Sequence, residues 1–174
     1  MATPDPANPI DANPGELWSI GHSNHPIERF LTLLRQHAIA MLADVRTAPY
    51  SRYSPQFNRD ELALSLRDAG IAYVFLGREL GGKPEDPALR GPDGLPDYDA
   101  IEATPLYQDG LARLTSLARD RRVAFMCSEG DPAHCHREKL VARGLRRHGW
   151  TVHHILADGA IQATEQRSLW ETGA

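Results

Sequence analysis

The sequence predicts a single three-layer α/β domain, in which a mostly parallel sheet of about five strands is covered by helices on both faces. Short apolar runs alternate along the chain with segments whose apolar residues recur at helical spacing. Strands and helices that alternate in this way are typical of a parallel sheet. The 174 residues, of which 41% are hydrophobic and 24% are charged, fit one globular domain with its own core.

The first strand is expected at residues 17–20, an apolar run that ends at Gly21. A helix over residues 26–36 follows, because its apolar side chains recur at helical spacing and Pro26 suits a first turn. Residues 40–45 form a second apolar run, which predicts the second strand.

The next helix has a start signal and a stop signal. Asn58 and Glu61 have the spacing of a capping box, and Gly70 is suited to the helix C-terminus. A third strand is expected at residues 71–76. The segment 81–105 then interrupts the alternation, because it is rich in proline, glycine and acidic residues. A connection of this length favours either a partly ordered lid beside a site or a passive insertion.

The alternation resumes after this loop. The patterns predict a helix at 106–119, a strand at 123–126, a helix at 137–149, a strand at 152–156 and a short terminal helix at 164–170.

The N-terminal residues 1–15 are rich in proline, alanine and asparagine and contain no pattern that could bury a core, so a disordered tail is expected before the domain at 16–174. The chain has no recognisable secretion signal and no apolar run of the roughly 20 residues that span a bilayer. We therefore expect a cytoplasmic protein without membrane contact. In that compartment its two cysteines are expected as reduced thiols rather than a structural disulfide.

The net charge of −4 is unevenly distributed. Seven acidic residues and one arginine lie between Pro84 and Asp109, whereas five basic residues cluster between Arg137 and Arg147. The basic cluster is interpreted as a solvated helix face or, alternatively, as a stripe that binds nucleic acid.

Polar side chains follow four of the predicted strands. Because the carboxyl ends of parallel strands share one edge of a sheet, these side chains are expected to form one pocket there. The pocket would collect His22 and Ser23, Asp44 and Arg46, Gly77 to Glu79, and Cys127, Ser128 and Glu129.

The same motifs resemble those of a known family. The motifs are Gly21-His22-Ser23, Asp44-Val45-Arg46 followed by Pro49 and Ser51, Leu76-Gly77, Gly81-Gly82, Cys127-Ser128-Glu129 and Cys135-His136-Arg137. In this order, from about Leu17 to Leu156, they resemble the DUF488 family. The resemblance implies a compact α/β domain in which these positions are the hallmarks, and it implies no established activity.

The segment from Val123 to Arg137 contains both cysteines. Cys127 is either a small apolar core residue or a nucleophile whose thiolate is favoured by nearby arginines. Cys135 lies at a predicted helix start, where it would be the more reactive thiol if exposed. A reversible disulfide between the two requires the intervening loop to fold back.

Arg137, Ser128 and the amides of the turn would suit a phosphate or a carboxylate, since a helix N-terminus offers N–H donors and an arginine offers a bidentate fork. The alternatives are structural ion pairs, Arg137 with Glu129 or Arg46 with Asp44. A cysteine followed by a phosphate-binding loop and an arginine is similar to the plan of phosphatases and sulfurtransferases, although the loop here is longer.

The remaining candidates are proton-transfer and stacking groups. Glu129 and Asp44 could act as general acid and base in a desolvated pocket. His22 suits a ligand contact or proton transfer better than Ser23 suits an activated nucleophile. Tyr53, with Tyr50 and Phe57, lies on a loop where aromatic rings could stack on a base or pack against the core.

Two classes of function follow. The first is an enzyme, thiol-dependent transferase or hydrolase, that binds or processes a small anionic ligand such as a nucleotide or another phosphorylated compound. Its chemistry would fall to Cys127, Glu129 and Asp44, and its ligand contacts to His22, Ser23, Arg46, Tyr53, Ser128, Cys135, His136 and Arg137.

The second class is a non-catalytic nucleic-acid-binding module that uses the basic helix 137–147 and the aromatics of 50–57. A lesser alternative is metal binding through Cys127, Cys135 and the neighbouring histidines, which would need a sharply bent loop to converge. No resident metal or cofactor is assigned.

Overall fold

The computed structural model describes residues 7–11 and 14–163. It contains one sheet of six strands in the order β3-β2-β4-β1-β5-β6. The strands β1 to β5 run parallel to one another, and the edge strand β6 is antiparallel to β5. Their bounds are β1 Glu16–Gly21, β2 Met41–Asp44, β3 Ala72–Phe75, β4 Val123–Cys127, β5 Thr151–Ile155 and β6 Ile161–Ala163.

Helices connect these strands. Their bounds are α1 Ile27–Gln36, α2 Arg59–Asp68, α3 Gly77–Leu80, α4 Tyr98–Glu102, α5 Pro105–Asp120 and α6 Arg143–Arg147, the last preceded directly by a π-helical segment, Arg137–Ala142. None of the helices in the described residues is long and apolar enough to cross a membrane.

The sheet separates two apolar clusters. On one face α1 and α2 bury Phe30 and Leu62, and on the other α5 and α6 bury Leu111 and Leu145. Side chains alternate between the two clusters along each strand, as in β1, where Leu17 faces one cluster and its neighbour faces the other. The chain is therefore a three-layer α/β domain with a mostly parallel sheet, as the alternation of patterns predicted.

Several elements were not predicted. The strand β6 is three residues long and pairs at the edge of the sheet, too short to produce a periodic signal. The helices α3 and α4 are also short, and α4 lies within the 81–105 segment, for which no helix was predicted. The helix predicted at 164–170 lies outside the described residues.

Residues 7–11 pack against the domain, although a disordered tail was expected there. Ile10 is buried, and the indole N–H of Trp150 donates to its carbonyl oxygen at 2.9 Å. His148 also contacts Asp11, with 2.6 Å between Nδ1 and Oδ1. A single buried isoleucine has no periodicity, so the sequence pattern carries no trace of this contact.

The start of α2 corrects the predicted capping box. Asn58 precedes the helix, but its side chain bonds to no helix N–H. Instead, Asn58 Oδ1 accepts a hydrogen bond at 2.7 Å from the backbone N–H of Ser51, which holds the preceding loop. At the other end Gly70 has φ +76°, the left-handed conformation expected of a C-terminal glycine.

Candidate functional site

The register of the sheet brings the strand ends together. Cys127 pairs with Gly21 on one side of β4, and Met126 pairs with Asp44 on the other. Asp44 also pairs with Phe75 of β3. The polar residues that follow β1, β2, β3 and β4 therefore leave the sheet at one edge, as the parallel arrangement requires.

A cavity of about 370 Å³ lies at this edge. Its lining residues are Arg46, Thr47, Ala48, Gly82, Lys83, Pro96, Tyr98, Cys127, Ser128, Glu129, His134, Cys135 and His136. Six of the predicted site residues are among them. Asp44, His22, Ser23, Tyr53 and Arg137 are not, so the structure divides the predicted set in two.

The predicted site did not include Thr47, Lys83 and Tyr98, which line the cavity. The backbone N–H of Lys83 donates to Thr47 Oγ1 at 3.1 Å, which joins the 81–105 segment to the end of β2. Both residues also border a second cavity of about 420 Å³. Lys83 directly follows the Gly81-Gly82 motif, and this adjacency was the one available signal for it.

Gly82 has a steric reason to lack a side chain. A Cβ atom at this position would lie 2.6 Å from the Cβ and Cγ atoms of His136, far inside van der Waals contact. The close approach lets His136 Nε2 donate to the carbonyl oxygen of Val45 at 2.9 Å. Burial lowers the pKa of His136, so the ring is neutral near neutral pH.

Asp44 and Arg46 form an ion pair beneath the cavity. Arg46 donates from Nε to Asp44 Oδ1 at 2.9 Å and from Nη2 to Oδ2 at 2.7 Å, and both side chains are buried. The hydroxyl of Tyr73 also donates to Asp44 Oδ2, at 2.8 Å. The pair is the bidentate arrangement that the sequence left open as an alternative, and it orients Arg46 at the edge of the cavity.

His22 continues this cluster on the same side. Its ring stacks on Phe57 with 4.4 Å between centroids, donates from Nδ1 to the carbonyl oxygen of Ser23 at 2.7 Å, and accepts at Nε2 from Arg46 Nη1 at 3.3 Å. Burial lowers the pKa of His22 to about 4. The imidazole is therefore neutral at pH 7 and serves as an acceptor for Arg46.

The loop after β4 is held close to the end of β1. The backbone N–H of Ser23 donates to the carbonyl oxygen of Ser128 at 2.9 Å. A Cβ atom on Gly21 would overlap the carbonyl group of Glu129, so only glycine fits there. Farther along, Asp131 accepts from the backbone N–H of Ala133 at 2.9 Å and contacts His134 at 3.0 Å.

The two cysteines meet across this loop. Cys127 Sγ is in direct contact with Cys135 Sγ as a disulfide pair, and the Cα atoms are 7.5 Å apart. Both residues are buried and line the cavity. The expectation of two separate reduced thiols is corrected, because the loop folds back and brings Cys135 over the end of β4.

Arg137 is the largest fully buried side chain among the described residues. Its Nη2 donates to the carbonyl oxygen of Gly130 at 3.2 Å, while Nε and Nη1 are buried without a hydrogen-bond partner in the described part of the chain. Burial lowers the pKa of Arg137 to about 10, still well above neutral pH, so the guanidinium is charged. The predicted alternative, an ion pair with Glu129, does not form.

The nearest carboxylate in the sequence is engaged elsewhere. Glu138 accepts hydrogen bonds from Arg146 at 2.6 and 2.9 Å and contacts His154 Nε2 at 2.6 Å. Burial acts to raise the pKa of Glu138, but these hydrogen bonds and charges hold it at about 2. Glu138 is therefore the counter-ion of Arg146, and no salt bridge connects it to Arg137 in the described residues.

Two arginines of the basic helix form salt bridges with the acidic segment. Arg143 bonds to Glu102 at 2.8 Å and to Asp99 at 3.0 Å, and Arg147 also pairs with Glu102. These bonds attach α4 to α6. Acidic and basic segments that are far apart in the sequence thus form ion pairs with each other in the fold.

The aromatic side chains of the loop after β2 differ in burial. Phe57 is fully buried, whereas Tyr50 and Tyr53 are 62% and 81% exposed. The guanidinium of Arg52 lies over the Tyr53 ring, 4.9 Å from its centroid. Phe57 thus packs against the core, and Tyr53 faces solvent outside the cavity.

The described residues contain no group of three or more histidine, cysteine or acidic side chains placed to hold a metal ion. His134 bonds to Asp131 and His136 to Val45, while the two cysteines contact each other. The four potential soft ligands of the loop therefore have separate partners.

Comparison with protein families adds one finding. The family model described as "Domain of unknown function DUF488" matches residues 26–143, more than half of the chain. The matched range includes β2, the cavity and the loop between the cysteines. Neither the curated proteins nor the solved structures contain a match. With its motifs gathered at one edge of a parallel sheet, the chain belongs to the DUF488 family.

Proposed function

We propose that this protein binds and processes a small anionic ligand, such as a nucleotide or another phosphorylated compound, in the 370 Å³ cavity at the carboxyl edge of the sheet. Arg46 and Lys83, which line the cavity, would provide positive charge, and the buried Arg137 would add to it from behind the cavity wall. The paired cysteines would provide the reacting group. The cavity volume is within the range of small-molecule sites.

The buried charge of Arg137, which has no salt bridge among the described residues, carries the proposal. An isolated ion inside a protein costs several kcal/mol unless it is paired, and two of the three guanidinium nitrogens lack a partner among the described residues. Gly130, whose carbonyl accepts the one hydrogen bond, belongs to the loop that forms the cavity wall. An oxyanion bound under this loop would supply the missing acceptors and the missing charge.

The cysteines support catalysis rather than simple binding. Cys127 and Cys135 line the same cavity, so a ligand held there lies beside a sulfur atom. Asp44 is enclosed by Arg46 and Tyr73, which supports a positioning role for this carboxylate. Glu129 is exposed on the cavity wall and is the available acid or base.

The test is a thermal-shift and calorimetric titration with inorganic phosphate, sulfate, nucleoside monophosphates and short single-stranded DNA. A ligand at 100 times its dissociation constant adds about 2.7 kcal/mol of stability. We expect a small oxyanion to stabilise the wild type but not Arg137→Met. Arg35→Met, which removes an exposed charge from α1, should respond like the wild type.

Two results would overturn the proposal. Equal stabilisation of the wild type and Arg137→Met by phosphate would mean that Arg137 is not the anion partner. Stabilisation by single-stranded DNA alone, lost with added salt, would favour the nucleic-acid-binding module, whose exposed Tyr50 and Tyr53 could stack on bases.

A further inference from the structure

The sulfur atoms of Cys127 and Cys135 are accessible from one direction. Cys127 is 1% exposed and Cys135 is 4% exposed, yet both line the 370 Å³ cavity. A thiol reagent must therefore enter the cavity to reach them. A small molecule could enter the cavity, whereas a disulfide bond that belongs to a folded protein could not.

The two sulfurs have different hydrogen-bond partners. Cys135 Sγ accepts the backbone N–H of Arg137 at 3.4 Å. Cys127 Sγ lies 3.7 Å from the carbonyl oxygen of Glu129, which would accept the thiol proton of Cys127 in the reduced protein. An N–H donor stabilises a thiolate, whereas a carbonyl acceptor stabilises a protonated thiol. The geometry therefore makes Cys135 the attacking thiolate and Cys127 the resolving thiol.

The spacing of the pair allows a bond between them. Their sulfurs are already in contact, and the Cα separation of 7.5 Å lies just beyond the usual range for a disulfide. The two residues flank one loop, so the bond between them closes that loop onto the end of β4. The loop is the same one whose carbonyl group at Gly130 contacts Arg137.

We propose that Cys127 and Cys135 form a two-electron redox couple that reduces the disulfide bond of a small anionic disulfide compound. This inference rests on the anion-binding cavity proposed above. Anionic groups on the compound would be attracted by Arg46, Lys83 and Arg137, and the compound's disulfide bond would lie against Cys135.

The chemistry is ordinary thiol–disulfide exchange. The Cys135 thiolate attacks one sulfur of the compound, whose S–S bond breaks, and the first small thiolate leaves and takes a proton from water. Cys127 then loses its proton and attacks Cys135 Sγ in the mixed disulfide. The second small thiolate leaves with that proton, and the Cys127–Cys135 bond forms. Two protein thiols and one disulfide thus yield one protein disulfide and two small thiols.

The test uses fully reduced protein and dithiobis(nitrobenzoate), a disulfide that carries two carboxylates and releases a coloured thiol. The uncharged dithiodipyridine is the matched control. We expect wild type to end as the intramolecular disulfide, two hydrogens lighter by mass spectrometry and without an adduct. Relative to a free model thiol, the anionic reagent should react faster than the neutral one by a factor on the order of ten.

Single variants identify the roles of the cysteines. Cys127→Ser should retain one nitrobenzoate adduct, because the resolving thiol is absent, and Cys135→Ser should react much more slowly. Two adducts on the wild type, or equal rates for both variants, would overturn the redox couple. If the redox couple failed this test but phosphate still stabilised the wild type, the proposed anion site would be retained and only the redox couple would be rejected. An intramolecular disulfide formed with no preference for the anionic reagent would overturn the assigned substrate class.

Discussion

Arg137 donates one hydrogen bond from Nη2 to the carbonyl oxygen of Gly130, at 3.2 Å, and this contact joins the buried charge to the loop between the cysteines. Because its other guanidinium nitrogens have no partner in the described residues, the charge costs stability when no ligand is bound. If the site binds an anion as proposed, it gives up some folding free energy in exchange for affinity, as binding sites commonly do.

Removing this charge should not destabilise the free protein. We expect Arg137→Met to be between unchanged and about 2 kcal/mol more stable than the wild type, because a buried charge is replaced by an apolar side chain of similar length. Urea unfolding without added anions measures the difference. A loss of more than about 2 kcal/mol would show that the guanidinium has structural partners that compensate it.

Gly21 should be intolerant of any side chain. Gly21→Ala places a Cβ atom on the carbonyl group of Glu129, so we expect a loss of about 2 kcal/mol or more together with weaker anion binding. Gly130→Ala is the matched control in the same loop, because its Cβ would meet Ser23 atoms at ordinary distances of 3.5 and 3.6 Å. Equal loss in both variants would contradict the steric explanation.

The ion pairs of Glu102 should anchor the acidic segment. Glu102 is 8% exposed and pairs with both Arg143 and Arg147. Glu102→Ala should cost about 1–3 kcal/mol, since it leaves two arginines without their main partner. Asp99→Ala, at an 80% exposed side chain, should cost less than about 0.5 kcal/mol. Chemical denaturation measures both, and similar values would argue against the anchor.

Acid should weaken the fold through His22. Its pKa is about 4 when folded and near 6.5 when unfolded. Below pH 6.5 the unfolded chain therefore binds more protons than the folded one, and stability that is complete above pH 6.5 declines as the pH falls towards 4. The His22 contribution is at most about 1.4 kcal/mol per pH unit within this window.

The variant His22→Gln should flatten this decline, because glutamine does not titrate. The measurement is the free energy of unfolding in urea at several pH values between neutral and mildly acidic. A slope identical to that of the wild type would mean that His22 does not contribute to the acid sensitivity.

The elements that could be predicted are those whose signal repeats along the chain. Five strands, the helices α1, α2 and α5, and the helical stretch formed by Arg137–Ala142 and α6 were predicted within a few residues of their positions, because each has several apolar residues at a regular spacing. Prediction failed for α3, α4 and β6, which have five residues or fewer. The predicted capping hydrogen bond of Asn58 was also wrong, because its side chain bonds to Ser51 in the neighbouring loop instead. A side chain that suits a helix start can equally bond to a nearby loop.

The residues of the site also fall into those that the sequence could predict and those that it could not. Parallel strands end at one edge, so the gathering of Arg46 and Cys127 could be predicted from their positions after strands. Lys83 and Tyr98 could not, because they reach the cavity from the 81–105 segment, whose path depends on Thr47 and on the ion pairs of Glu102.

The amino-acid order by itself determined the layer architecture, the edge at which the polar motif residues lie, and the family. These depend on local periodicity and short motifs, which are readable without coordinates. The tertiary structure alone decided that the cysteines meet, that Asp44 neutralises Arg46, and that Arg137 has no counter-ion in the described residues. Such outcomes depend on which distant groups share a buried space, and a linear pattern does not contain that information.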